Sequence, residues 1–376
     1  MKRELELYLH IPFCVKKCAY CDFLSGPADE KQKRAYFDGL IGEIRGCGDF
    51  SEYVVKSIFF GGGTPSVVPG QWIERVMLEI GEHFCLAPEA EITIEVNPGT
   101  ADREKLECYG RAGINRISFG CQSADNRELK RLGRIHTWEE FSAGYELARD
   151  CGFRNINVDL MSGLPGQNLA SWENTLKKVI ECSPEHISAY SLILEEGTPF
   201  YDMKDQLKLP EEEEERLMYE RTAEILHDSG YDQYEISNYA RPGFACEHNV
   251  GYWIGREYLG LGLGSSSLIR NCRFHNRDQM GEYLKYCENP GMLRCEVQEL
   301  SVKDRMEEFM ILGLRMTEGV SETQFEKLFH TGIDRIYGKV LEKYGTAGFL
   351  ERERGRIYLT REGISVSNVI LSEMLL

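Results

Sequence analysis

Three cysteines stand four and three residues apart in the string Cys14-Val-Lys-Lys-Cys18-Ala-Tyr-Cys21. Thiolates at this spacing can wrap one metal centre. A structural zinc site wants four ligands, and no further Cys or His follows closely in the sequence. A [4Fe–4S] cluster held by three thiolates leaves one iron open to an external ligand. Zinc with a remote fourth ligand is the alternative.

Other candidates recur at similar places. Gly61-Gly-Gly-Thr-Pro65 is a run of three glycines, and glycine lets backbone approach a ligand closely. Glu95 lies near the end of an alternating apolar and polar segment. A carboxylate there can accept hydrogen bonds from ribose hydroxyls, as in other nucleotide sites. The alternative for Glu95 is an ion pair with an arginine such as Arg116.

These residues follow short apolar segments. Candidate strands are 5–11, 54–60, 91–96, 116–119, 156–160 and 186–192, with helical stretches between them, including 31–45, 72–83, 138–151 and 171–182. Alternating strand and helix predicts parallel βα units. About six units are too few for an eight-stranded barrel. Within the strands, Asn155, Asn157 and Asp159 alternate with Ile156, Val158 and Leu160, and Tyr8 and His10 with Leu7, Leu9 and Ile11. Successive side chains face opposite ways, so one face is apolar and the other polar. The expected fold class is α/β, a partial (β/α)6 TIM-like barrel whose site lies inside.

Beyond Leu194 the pattern loosens. A helix is expected from the glutamate run at 211–215 to about Ser229, and a strand at 231–239. Gly260-Leu-Gly-Leu-Gly264 reads as a tight backbone turn, since it lacks the spacing of a dinucleotide loop. Helices at 303–316, 321–330 and 334–344, a hairpin at 348–359 and a last helix suggest a small winged-helix-like domain. The expected division is 1–195, 196–295 and 296–376.

The chain has 376 residues, with 44 basic and 61 acidic side chains and a net charge of −17. That balance argues against nucleic acid, which is bound by basic surface. Residues 301–376 carry 11 basic and 12 acidic side chains, so the winged segment lacks a DNA-binding charge. No apolar run reaches the ~18 residues of a membrane helix. No signal peptide is apparent, and 13 cysteines, an odd number, point to a reducing cytoplasmic compartment. The ten outside the cluster motif are expected to be small buried hydrophobes, with Cys246 the one exception considered below.

The Cys-x3-Cys-x2-Cys spacing, with Tyr20 before the third cysteine, resembles the radical S-adenosylmethionine (SAM) superfamily. Tyr8-Leu-His-Ile-Pro-Phe-Cys14, the GGGTPS loop, Glu95-Val-Asn-Pro98, Arg116-Ile-Ser-Phe-Gly-Cys-Gln122 and Asp159-Leu-Met-Ser-Gly-Leu-Pro165 are similar to the oxygen-independent coproporphyrinogen III oxidase group. The resemblance implies a [4Fe–4S] cluster on Cys14, Cys18 and Cys21, and a reducing electron donor. It implies SAM contacts at Tyr8, Tyr20, Gly62, Gly63, Thr64, Glu95, Gln122, Arg134 and Asp159. The oxidase carries a fourth cysteine where this chain has Phe23, and a long segment before the matching tyrosine where this chain has seven residues. Both departures match a shorter sister group, the heme chaperones (HemW-like proteins).

That group also carries an HNxxYW motif, matched by His248-Asn-Val-Gly-Tyr-Trp253. An imidazole can bind heme iron axially, and Tyr252 and Trp253 can pack on a macrocycle face. Cys246 is a rival thiolate ligand. The function implied is heme binding and transfer to an acceptor among membrane heme proteins. The alternative is oxidative decarboxylation of coproporphyrinogen III.

Overall fold

The computed structural model describes residues 2–376. Six parallel strands run in sequence order: β1 (Arg3–Ile11), β2 (Tyr53–Gly62), β3 (Leu86–Val96), β4 (Arg116–Gln122), β5 (Ile156–Ser162) and β6 (His186–Ser191). Beyond β6 lie the short antiparallel strands β7 (Asp232–Gln233) and β8 (Asn238–Ala240). On the other side, β9 (Glu257–Leu261) pairs parallel with β1. It is followed outward by β10 (Ser266–Ile269), β11 (Cys272–Asn276) and β12 (Arg294–Glu299). The twelve strands form one open sheet, so the barrel is partial as expected.

The polar and apolar alternation sets which way each strand faces. Leu5, Leu7, Leu9 and Ile11 are fully buried in the main core, which also includes Tyr36 and Leu40 of the helix Glu30–Gly46. Glu6, Tyr8 and His10 then point to the concave side. The helices start where the sequence caps them. Asp29 with Gln32, Thr137 with Glu140 and Asn168 with Ser171 form capping boxes that satisfy otherwise unpaired backbone N–H groups. The glutamate run fills the first turn of the helix Glu212–Asp228, where it suits the dipole.

Three expectations need correction. The segment 231–239 is a two-stranded hairpin rather than one strand. The 260–264 segment is no simple turn, because Gly260 and Leu261 belong to β9. A Cβ on Gly260 would strike the Ser266 carbonyl, so the glycine lets the β9–β10 corner close. The ten other cysteines are not uniformly buried: Cys85 is exposed, and Cys151, Cys182, Cys272 and Cys295 are half-buried.

Residues 302–374 form a second core around Met310, Phe325, Tyr337 and Ile370. Helices Val302–Gly313, Glu322–Phe329 and Ile333–Thr346 precede a hairpin, Leu350–Glu353 with Arg356–Leu359. This is the expected small helical, winged-helix-like domain. No helix of the described residues is long and apolar enough to cross a membrane.

Candidate functional site

Cys14, Cys18 and Cys21 lie on the loop that leaves the C-terminal end of β1, all half-buried and free of disulfides. The loop is fastened on several sides. Cys14 N–H donates to the Gly26 carbonyl at 3.0 Å, and Ala19 N–H to Leu132 at 3.0 Å. Tyr20 packs beside Leu132, Met161 and Phe200. Gly63 N–H donates to Ile11 and Thr64 N–H to Phe13, at 2.9 and 2.7 Å. A Cβ on Gly63 would lie 2.7 Å from the Phe13 carbonyl. The glycine run therefore first serves to seat the β2 loop against the cysteine loop.

Among the described residues the three sulfurs do not all lie within 4.8 Å of one another. Tetrahedral zinc, with Zn–S near 2.3 Å, needs sulfurs about 3.8 Å apart. Nor does His10 offer a fourth ligand. Its Nε2 faces the Leu24 carbonyl at 2.8 Å and its Nδ1 the Tyr8 hydroxyl at 3.1 Å. Three thiolates are a donor set that fits a [4Fe–4S] cluster with one iron left open.

A polar chain links two of the thiols. Cys14 Sγ is 3.5 Å from Thr64 Oγ1, to which Asn97 Nδ2 donates at 2.7 Å. Asn97 Oδ1 accepts from Arg134 Nη2 at 2.6 Å, and Arg134 Nη1 points at Cys18 Sγ at 3.8 Å. Arg134 also donates to the Gly120 carbonyl at 2.6 Å. A Cβ on Gly120 would crowd Asn97 and Arg134, so the glycine opens this path.

The remaining polar residues face the same interior. Burial and the nearby Asp159 push Glu95 up to about 8, and the Gly62 N–H opposes that shift. Burial also raises Asp159, which accepts from Ser118 at 2.9 Å and Asn157 at 2.8 Å. Gln122 ends β4 in a left-handed conformation, φ 68°, where the β4–β5 register slips. Arg116 does not pair with Glu95; its ion-pair partner is Glu91, at 3.8 Å.

His248 sits deeper in the barrel, against the middle of β1 and β2, on the helix Glu247–Trp253. Its Nδ1 is 2.8 Å from Ser57 Oγ and 3.8 Å from Glu6 Oε2. Its ring stacks on Phe59 with centroids 5.1 Å apart, and Tyr8 lies 6.5 Å away. Burial first, then Arg116 and Arg256, push it down to about 3, so the ring is neutral. The side chain keeps 13% exposure, and Nε2 has no hydrogen-bond partner among the described residues. Ser57 stands five residues before Gly62 on β2, so His248 meets the strands deeper in the barrel than the glycine loop does. Cys246 is fully buried against Glu91 Oε1 at 3.3 Å, with its thiol pushed up by burial, which makes it a poor rival ligand.

The sequence model of the radical SAM superfamily matches residues 8–179, and that of the HemN C-terminal domain matches residues 300–366. The heme chaperone HemW of Lactococcus lactis is 36% identical over 100% of this chain and 98% of its own. The Escherichia coli heme chaperone HemW is 34% identical over 94% and 96%. The chain belongs to the heme chaperone HemW family. The fold is also that of coproporphyrinogen III oxidase (HemN) from Escherichia coli, a radical SAM enzyme, with TM-score 0.86 and 26% identity over 100% of this chain and 90% of that one. Membership of the radical SAM superfamily implies SAM and a [4Fe–4S] cluster.

For a HemW-family chain, the structure groups Tyr8, Gly62, Glu95 and Asp159 inside the barrel and Tyr20, Gly63, Thr64, Gln122 and Arg134 around the cysteine loop. It adds Asn97, which sits within the quoted Glu95-Val-Asn-Pro98 string but has no chemistry of its own to announce a role. It separates the parts of the HNxxYW motif. Trp253 lies under Arg315, 4.5 Å from centroid to guanidinium, and Tyr252 packs on Tyr258. The aromatic neighbours of His248 are instead Phe59 and Tyr8.

Proposed function

We propose that this protein is a heme chaperone of the cytoplasm that holds heme on His248 and passes it to an acceptor protein at a membrane surface. The observation that carries this reading is a neutral imidazole inside the barrel whose Nδ1 is engaged by Ser57 and whose Nε2 is free. With the proton on Nδ1 donated to Ser57, Nε2 keeps the lone pair that iron needs. Phe59 and Tyr8 fix the plane of the ring. Glu6 and Arg256 close the site below, with Arg256 donating to Glu6 at 2.9 Å.

Cys14, Cys18 and Cys21 would hold a [4Fe–4S] cluster, and the nine residues named above would hold SAM. When bound, such a cluster supplies an open iron for SAM and an electron from an external donor. The chain's own part is positional. Thr64, Asn97 and Arg134 hold two cluster thiols in register, and the neutral Glu95 can both donate to and accept from a hydroxyl. In this reading residues 1–195 are the radical SAM core, 196–295 bring the HNxxYW motif to the barrel floor, and 296–376 form the C-terminal domain.

The full-length likeness to HemN favours one second reading, oxygen-independent coproporphyrinogen III oxidation. The two part in one experiment. Anaerobic protein with reductant and SAM is offered coproporphyrinogen III, and separately is loaded with heme and mixed with an apo heme protein. The chaperone reading expects heme transfer without protoporphyrinogen formation. Protoporphyrinogen formed over many turnovers would overturn it.

A further inference from the structure

Between the barrel and the C-terminal domain lies a cavity of about 260 Å³. Its wall is apolar, with Trp253, Ile254, Leu268, Phe309, Leu312 and Phe329. Domain interfaces are a common place for ligand pockets. Heme is a poor occupant, because no His, Cys, Met or Tyr lines the cavity to bind its iron.

The charges around this cavity single out one residue. Arg3 pairs with Glu257 at 2.5 Å. Glu308 accepts both Arg273 terminal nitrogens, at 2.6 and 3.0 Å. Arg356 donates to the Glu318 and Gly319 carbonyls at 2.7 and 2.9 Å. Arg305 is different. The residue is half-buried, and its guanidinium lies over Phe329, 5.6 Å from the centroid, with no ion pair or hydrogen bond among the described residues. Five planar donors beside an apolar wall fit a carboxylate with a hydrocarbon tail. A net charge of −17 repels anions at long range, so such a ligand must be gripped locally.

We propose that this interdomain cavity binds an aliphatic monocarboxylate, with its tail against Trp253, Phe309 and Leu312 and its carboxylate on Arg305. At ~30 Å³ per water-sized unit, the space suits roughly eight to ten non-hydrogen atoms. The site does not depend on the heme reading. The helix that carries His248 does, however, end on its wall at Trp253.

The test uses the full-length protein with octanoate and octanol as probes, read by calorimetry and by Trp253 fluorescence against Trp253→Phe. Octanoate should bind saturably and more tightly than octanol. Arg305→Ala should weaken octanoate about tenfold while sparing octanol, since a tenfold loss is about one charged contact. Arg305→Lys should lose less, and Leu312→Trp should fill the cavity and weaken both probes. Unchanged iron content in each variant serves as the check on folding. The proposal fails if binding is not saturable, if octanol binds as tightly as octanoate, if Arg305→Ala is neutral, or if a folded Leu312→Trp binds both as before.

Discussion

At the mouth of the barrel, three thiols from one eight-residue stretch are pinned by backbone hydrogen bonds from neighbouring loops. Deeper inside, one imidazole is held by Ser57, 191 positions away in sequence. The thiols at the mouth are half-buried, which on the proposed reading lets them meet an incoming group. The floor is nearly dry, and its burial keeps His248 neutral. On the proposed reading, one barrel carries two ligand sets at different depths along the same strands. If each end has its own job, each can be removed without the other.

Cys18→Ser should have the largest effect. It removes one of three thiolates and should abolish bound iron and sulfide, while heme affinity stays within about twofold of wild type. Loss of both would break the comparison. Gly63→Ala comes next. Its Cβ would meet the Phe13 and Ile11 carbonyls and the Phe13 amide, at 2.7, 2.9 and 2.9 Å. Overpacking of this kind costs about 1–3 kcal/mol, and should lower both urea stability and iron loading. Iron loading equal to wild type would show that the glycine does not seat the cysteine loop.

Ser57→Ala sharpens the other end. Losing the partner that orients a ligand histidine costs about tenfold in affinity. Heme titration should show that loss, with iron content unchanged. No loss would mean that Ser57 does not orient the ring.

Much of the mouth is legible in the sequence, because it is local. The cysteine spacing, the glycine run and the six alternating segments each fall within a few residues. The floor is not. Ser57 and Phe59 look like ordinary strand residues, and only the pairing of β1 with β2 and the path of the chain after β8 bring them to His248. For the same reason Trp253 reads as a macrocycle contact but packs under Arg315. Cys85 and Cys151 escape the core because composition says nothing of which face a cysteine occupies. Gly260 serves a strand corner that forms only when β10 folds back.

The smallest expected effect lies between the two ends. Buried Glu43 accepts from Tyr283, Gly262 and Asn276 at 2.7, 2.8 and 2.6 Å, clamping the helix Glu30–Gly46 to β9. Burial raises it to about 7 from an ordinary 4.5. Between those values the folded state binds more protons than the unfolded state. Its contribution is therefore complete below pH 4.5 and lost as pH rises through 7. Glu43→Gln should flatten that fall in urea midpoint between pH 4.5 and 7. Parallel curves for wild type and variant would contradict the burial assigned to Glu43.

The most direct test of two separate ends is one set of anaerobic preparations of wild type and His248→Ala, each assayed for iron and sulfide and then titrated with heme. Both should hold about four irons and four sulfides per chain, and only the variant should lose heme affinity, by about a hundredfold. Full heme affinity in the variant would contradict the account.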